Sequence, residues 1–370
     1  MTVTVKSFAK INLGLRIGAA REDGFHQLVT VYQTIGLHDV IRVSVKRGAG
    51  IEIRCADPRV PRDESNTCFR IVERAMTALR AKGRVVVEIE KRLPVQGGLG
   101  GASANAVATL LALERAVRKT LTQPEKLRIA AEVGSDLPLF LVGGAVLGVG
   151  RGEQVYPLPD FPATACVVVT PEIGVSTPKA FAEWDRLCGA GASAREDSPR
   201  LSNDEFSKKP AERRSAWTGE GVRPLIGCAS DKLTGDTKLT VPTGFDRMNE
   251  LGRSLSAWLS GQYSSAPSDF FDRRGRAGNP LLRLDRAGIE NDFEQVVFPE
   301  YPKLGEARRA LLRAGAKYAS LSGCGSTLYG LFVSRQAAAS AVTKLRNAGW
   351  AAQASTTLAR AAYWRRIFAA

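Results

Sequence analysis

The sequence predicts an α+β fold built as two domains, on three observations. At 370 residues the chain is longer than a single hydrophobic core usually serves. Up to about residue 162, short alternating strand segments are interleaved with capped helices. The tail then runs helix, strand, strand, helix, strand, an order that lays helices on one face of an antiparallel sheet. The expected division is therefore residues 1–162 and 163–370.

The elements follow in order. Val3 to Ile17 alternates as a strand, turning Lys10 and Asn12 to one face and Ile11, Leu13 and Leu15 to a core. Val40 to Lys46, Ile51 to Cys55 and Val85 to Ile89 are further strands. Asn66 is placed to cap a helix reaching about Arg80, with Phe69, Met76 and Leu79 at helical spacing. A second helix begins near Gly101 and turns Val107, Leu110, Leu111 and Leu113 inward. Thr122-Gln123-Pro124-Glu125 is a capping box whose helix ends at Gly134, and Gly144 to Val149 reads as a strand. The second half opens with the strand Ala165 to Thr170 and a helix from Thr177-Pro178.

From about Gly189 to Thr243 the composition shifts to Ser, Gly, Thr, Pro and mixed charge, and a mobile surface insertion is expected there. Phe245, Met248, Leu251, Leu255, Trp258 and Leu259 then restore a helical stripe of core-packing type. The tail elements are Pro302 to Ala314 (helix), Tyr318 to Leu321 and Leu328 to Val333 (strands), Arg335 to Ala348 (helix) and Ala351 to Leu358 (strand).

Composition excludes several classes. With 44% hydrophobic and 24% charged residues the chain is neither disordered, collagen-like nor a coiled coil. No apolar run reaches the roughly 18 residues of a membrane span. Lys6, Lys10, Asn12 and Arg16 interrupt the start, which lacks a signal-peptide core. A cytoplasmic protein with no membrane partner is expected. The six cysteines (Cys55, Cys68, Cys166, Cys188, Cys228, Cys324) form no Cys-x-x-Cys pair, and His26 and His38 are the only histidines. A zinc site, a disulfide framework and histidine-triad chemistry are all disfavoured.

The net charge of +15 favours anionic partners. Its densest clusters, Lys208-Lys209, Arg213-Arg214 and Arg273-Arg274-Arg276, lie among acidic residues without interleaved aromatics. They read as solvated surface, and no nucleic-acid partner is expected.

The strongest local signal is Pro94-Val95-Gln96-Gly97-Gly98-Leu99-Gly100-Gly101-Ala102-Ser103-Ala104, after a strand and before a helix. Glycines let the backbone approach an anion, and the helix offers N–H groups and the positive end of its dipole to phosphate. No Gly-Lys-Ser/Thr follows, so it is not a Walker A loop, nor does it sit in a parallel βαβ unit. Taken alone, the segment has a second, weaker reading as a tight strand-to-helix turn.

Pro94-x-x-Gly97-Gly98-Leu99-Gly100-Gly101 resembles the phosphate loop of the GHMP kinases (galactokinase, homoserine kinase, mevalonate kinase and relatives). Ala9-Lys10-Ile11-Asn12-Leu13, Arg21-Glu22-Asp23-Gly24-Phe25-His26, Gly134-Ser135-Asp136-Leu137-Pro138, Asn291-Asp292-Phe293-Glu294 and Leu321-Ser322-Gly323-Cys324-Gly325-Ser326-Thr327 resemble one branch of that family. The resemblance covers nearly the whole chain outside the insertion.

It implies a domain like ribosomal protein S5 joined to a ferredoxin-like domain. It also implies ATP-dependent phosphorylation, with Mg2+, of the 2-hydroxyl of 4-diphosphocytidyl-2-C-methyl-D-erythritol, a step of the methylerythritol phosphate route to isoprenoids. Residue by residue, it assigns catalysis to Asp136, as general base, and to Lys10, which keeps that carboxylate ionised and steadies charge on the attacking oxygen. ATP falls to Pro94 through Ala104 with Asn66 and Lys91; substrate falls to Asn12, Phe25 and His26.

Phe25 stands where the family usually has tyrosine, so it keeps a stacking face without a phenol. Ala102 and Ala104 stand for the usual Gly and Ser, leaving Ser103 as the loop's hydroxyl for magnesium. Gly323 and Gly325 are expected to let the second domain's backbone close on the site. Two other readings remain. A GHMP kinase for another alcohol, such as mevalonate or homoserine, leaves Arg21 to His26 without a role. An RNA-binding protein that has lost catalysis does not require Lys10, Asp136 and the glycine loop together.

Overall fold

The computed structural model describes residues 1–189, 252–253, 279–285 and 288–368. Apart from Gly189 the expected insertion lies outside the described residues. So do the stripe from Phe245 to Leu259, the three basic clusters and Cys228.

The first sheet contains β1 (Thr2–Ala20), β2 (His26–Lys46), β3 (Ile51–Cys55), β4 (Arg84–Glu90), β5 (Ala145–Gly150) and β6 (Gln154–Pro157) in the order β3-β4-β2-β5-β6, with β1 paired to β2. Only β3 and β4 are parallel. Helices α1 (Thr67–Ala78), α2 (Gly101–Val117), α3 (Gln123–Val133) and α4 (Leu137–Val142) cover one face. There Ile71, Leu110 and Phe140 pack in one core with Ile41, Val43 and Val87. The anticipated caps are in place: Asn66 accepts from Cys68 N, Thr122 and Glu125 form the reciprocal box, and Gly134 ends α3.

β1 owes its reach to irregular register. Pairing shifts after Phe8, Asn12 and Ile17. As a result Val5 and Phe8 join the helix-covered core, Ile11 and Leu13 a core between the sheets, and Leu15 and Ile17 a third.

The second sheet runs β10-β7-β9-β8 and is wholly antiparallel, from β7 (Ala165–Val169), β8 (Tyr318–Leu321), β9 (Leu328–Phe332) and β10 (Ala352–Thr356). Between these strands come α5 (Thr177–Gly189), α6 (Glu294–Glu300), α7 (Pro302–Arg313) and α8 (Arg335–Asn347), giving the ferredoxin-like arrangement. Val167 and Val169 pack with Leu304, Leu311 and Ala341 of the helices, whereas Cys166 and Val168 meet Ile11, Leu13 and Ile35. Because both faces are covered, β7 reads Ala-Cys-Val-Val-Val without alternation.

Five features go beyond the sequence expectation. β2 begins at His26, fourteen residues before Val40; α4, β6 and α6 are additional; and α9 (Arg360–Ile367) follows β10. Tyr363 of α9 is buried in the first core and donates to Phe140 O at 2.7 Å. The chain therefore changes sheet between β6 and β7, and its last helix packs back on the first sheet's helical layer. No helix among the described residues is long and apolar enough to cross a membrane. Cys55, Cys68, Cys166 and Cys324 are free thiols.

Candidate active site

The glycine loop joins β4 to α2 and is anchored at its start. Asp39 is wholly buried; its Oδ1 accepts from the backbone N of Arg92 and Leu93, both at 2.7 Å, and its Oδ2 from Lys91 Nζ at 2.5 Å and Asn105 Nδ2 at 3.0 Å. Beyond this hub the backbone turns left-handed at Gln96, Gly98 and Gly100 (φ +58°, +75° and +67°). Two of these must be glycine. A Cβ on Gly98 would lie 2.1 Å from Ser322 O, and one on Gly100 would lie 3.0 Å from both Lys10 Cγ and Phe140 Cζ. The loop's other face is tied to the second sheet, since Ser322 Oγ donates to Gly98 O (2.9 Å) and Thr327 N to Gly97 O (3.2 Å). α2 starts at Gly101 with no side chain capping its first turn.

Lys10 lies beside this loop. Its backbone N donates to Leu99 O at 3.0 Å, and its side chain is buried, not solvated. Nζ donates to Asn12 Oδ1 (2.7 Å) and faces Asp136 Oδ2 at 3.5 Å. Asn12 Nδ2 donates to Thr30 Oγ1 (2.8 Å), which donates to Gly14 O (2.8 Å), so the amide is held from behind. Asp136 stands at the N-cap position of α4, but its side chain makes no capping bond. Instead Oδ1 accepts from Tyr32 Oη at 3.0 Å. Lys10 and Asp136, separated by most of the first domain in sequence, are neighbours.

Two cavities meet at the loop, and Gln96, Gly98 and Gly100 line both. The first, of about 350 Å³, is walled by Pro94 through Ser103 together with Asn66 and Lys91. Ala104 is buried beneath it. Asn66 spends its amide on the α1 cap and on Pro61 O, and Lys91 is paired with Asp39, so each borders this cavity while holding structure. The second, of about 560 Å³, has Lys10, Asn12 and Asp136 on one side and Thr177, Phe181 and Gly323 on the other. Asn291 braces that far side, donating to Leu321 O and Gly323 O. Asp292, salt-bridged to buried Arg16, fixes Asn291 to β1.

Phe25 and His26 line neither cavity. Phe25 is 49% exposed beneath the Arg151 guanidinium. His26 is buried, stacked on Phe181 at 4.6 Å with Nε2 2.7 Å from Asp185 Oδ1. Tyr32, Asp39, Thr177 and Phe181 are the residues the sequence reading missed. None sits in a glycine or charge motif, and only pairing of β2 with β1 and docking of α5 bring them in. Among the described residues no group of three or more His, Cys, Asp or Glu side chains could hold a metal ion. Ser103 presents a hard hydroxyl oxygen at the first cavity, a donor type that would fit a magnesium ion.

Comparison with known proteins agrees with this fold. Residues 66–144 match the GHMP kinases N terminal domain and residues 274–351 the GHMP kinases C terminal domain. A protein of Solibacter usitatus (strain Ellin6076) named 4-diphosphocytidyl-2-C-methyl-D-erythritol kinase is 34% identical over 333 residues, spanning 90% of this chain and 82% of that protein. Its namesake from Acaryochloris marina (strain MBIC 11017) is 30% identical over 348 residues, spanning 93% and 92%. A crystal structure of 4-(cytidine 5'-diphospho)-2C-methyl-D-erythritol kinase superposes with a TM-score of 0.62 at 24% identity, over 96% of this chain and 98% of the other. L. major mevalonate kinase gives 0.61 at 14% identity, over 96% of each chain. At those identities the two structures speak for the fold alone. Family domains in both halves, and relatives aligned along nine-tenths of the sequence, make the chain a member of the GHMP kinases, in the 4-diphosphocytidyl-2-C-methyl-D-erythritol kinase family.

Proposed function

We propose that the protein transfers the γ-phosphoryl group of ATP to the 2-hydroxyl of 4-diphosphocytidyl-2-C-methyl-D-erythritol, giving the 2-phosphate and ADP, in the methylerythritol phosphate route to isoprenoids. One observation carries the reading: Lys10 and Asp136 face each other 3.5 Å apart in the second cavity, directly beyond a glycine loop shared with the first.

ATP occupies the first cavity, with its terminal phosphates against the loop N–H groups and the start of α2. The acceptor alcohol occupies the second. As its oxygen bonds to the γ-phosphorus and the bridge to ADP breaks, the hydroxyl proton passes to Asp136, late in the transfer because a free alkoxide is costly. Lys10 keeps that carboxylate ionised and offsets charge growing on the attacking oxygen. Asn12 orients Lys10. Ser103 is the residue that would hold magnesium, and the ion would supply neutralisation of the phosphate charge. Phe181, which lines the second cavity, offers a flat apolar face to the cytosine, backed by His26.

Asp136→Asn keeps the shape and removes the proton acceptor. Turnover is expected to fall by about a hundredfold or more while ATP binding changes little. Release of ADP, followed with the cytidyl substrate, mevalonate and homoserine in parallel, tests substrate and base together. Activity with mevalonate or homoserine alone, or near-normal turnover of the variant, contradicts the reading.

A further inference from the structure

We infer that Tyr32 is a positioning residue for phosphoryl transfer: its hydroxyl holds one oxygen of Asp136 so that the other is presented to the acceptor alcohol. The inference rests on the reading of Asp136 as the proton acceptor and adds a residue to it. Tyr32 is on β2, opposite Asn12 of β1 and Val146 of β5, and is 2% exposed. Its Oη lies 3.0 Å from Asp136 Oδ1, while Lys10 Nζ lies 3.5 Å from Oδ2 and 5.7 Å from the centre of the tyrosine ring. Tyr32 and Lys10 are the polar partners of this carboxylate among the described residues, and α4 draws no capping bond from it.

Room for the phenol is built into the neighbouring backbone. A Cβ on Gly148 of β5 would lie 2.5 Å from Tyr32 Cε2, and one on Gly152 of the following turn would lie 2.5 Å from Tyr32 Oη. An alanine at either position would displace the ring or its hydroxyl. The two glycines thus admit a tyrosine aimed at Asp136.

The chemistry follows from the donor's permanence. Burial, and next the Asp136 charge, push the Tyr32 phenol well above its ordinary range, so it stays protonated and donates at every working pH. The charged and titratable groups facing this cluster are Lys10 from β1, Tyr32 from β2, Asp136 at the head of α4 and, acting on the phenol, Glu153 from the turn after β5. A neutral donor on Oδ1 and an ammonium beside Oδ2 both favour the ionised carboxylate, and together they remove its freedom to rotate. That is the kind of orientation on which a transfer geometry depends.

The test is Tyr32→Phe, which keeps the ring and its packing. Steady-state kinetics of the full chain with ATP, magnesium and the cytidyl substrate are followed beside Asp136→Asn. We expect kcat to fall by about tenfold with KM for ATP unchanged. In the Asp136→Asn background, Tyr32→Phe should add little further loss, since the two act as one unit. A wild-type kcat for Tyr32→Phe beside an inactive Asp136→Asn overturns the role of Tyr32 alone. A loss confined to KM, or one that multiplies fully with Asp136→Asn, does the same. An active Asp136→Asn removes the base reading itself.

Discussion

Gly98→Ala probes how tightly the second sheet's loop must close on the glycine turn. The backbone at Gly98 has φ +75°, which costs an L-residue roughly 1–2 kcal/mol. The added methyl carbon would lie 2.1 Å from Ser322 O and 2.9 Å from Gly325 O. Both are backbone atoms, so the two loops must part by an ångström or more, at a further cost of about 1–3 kcal/mol. The sum, about 2–5 kcal/mol, corresponds to a fall in Tm of about 3–6 °C for a chain of 370 residues. Parting the loops also breaks the bonds from Ser322 Oγ and Thr327 N and withdraws the loop from Lys10, so kcat should drop by about a hundredfold. Thermal unfolding and steady-state kinetics, with Gly101→Ala as the control, read both effects. Gly101 has an ordinary φ, and its added carbon would meet Lys91 Nζ at 3.4 Å and Leu93 at 3.6 and 3.8 Å, all van der Waals contacts with side chains rather than backbone, so its stability should change little. A Gly98→Ala enzyme as stable and fast as its parent refutes the argument.

Two other expectations concern buried carboxylates. Asp39→Ala strips partners from the Lys91 ammonium and two backbone N–H groups at a wholly buried position, and should cost about 3–5 kcal/mol in urea unfolding and weaken ATP binding more than acceptor binding; equal stability would show that the loop's anchor lies elsewhere. Glu294 accepts from Ser320 Oγ and Leu321 N, yet burial raises its pKa above the ordinary 4.5. The folded state then holds the proton more tightly than the unfolded one, so the contribution is complete below about pH 4.5 and is lost as pH rises through the folded value. Glu294→Gln should therefore gain stability relative to the parent as pH rises above about 4.5, and parallel stability–pH curves would contradict this.

What could be read from the residues was what is encoded locally. β3, β8 and the helices at Asn66 and Thr122 have caps or sharp boundaries, and they stand as expected. The first half of β2 did not announce itself. Its register shifts against β1 break the alternation, and Gln33, Thr34 and Asp39 are polar yet buried, held by partners distant in sequence. Lys10 is the sharper lesson. Alternation placed its side chain opposite Ile11 and Leu13, but could not tell solvent from the cleft formed by Gly100, Tyr32 and Asp136. The latter two reach it from β2 and from the turn before α4. The Phe25 and His26 pair was legible as a motif, whereas the ring that His26 stacks on, Phe181, comes from a helix with no signature of its own.

The central claim is that the acceptor alcohol meets the γ-phosphoryl group between the glycine turn and Asp136. The direct measurement is a crystal structure with a non-hydrolysable ATP analogue and the cytidyl substrate bound together. The account predicts the terminal phosphate on the N–H groups around Gly98 to Ser103, with the 2-hydroxyl within about 2.6–3.2 Å of an Asp136 oxygen and in line with the γ-phosphorus. A ternary complex holding that hydroxyl away from both Asp136 and Lys10 would contradict it.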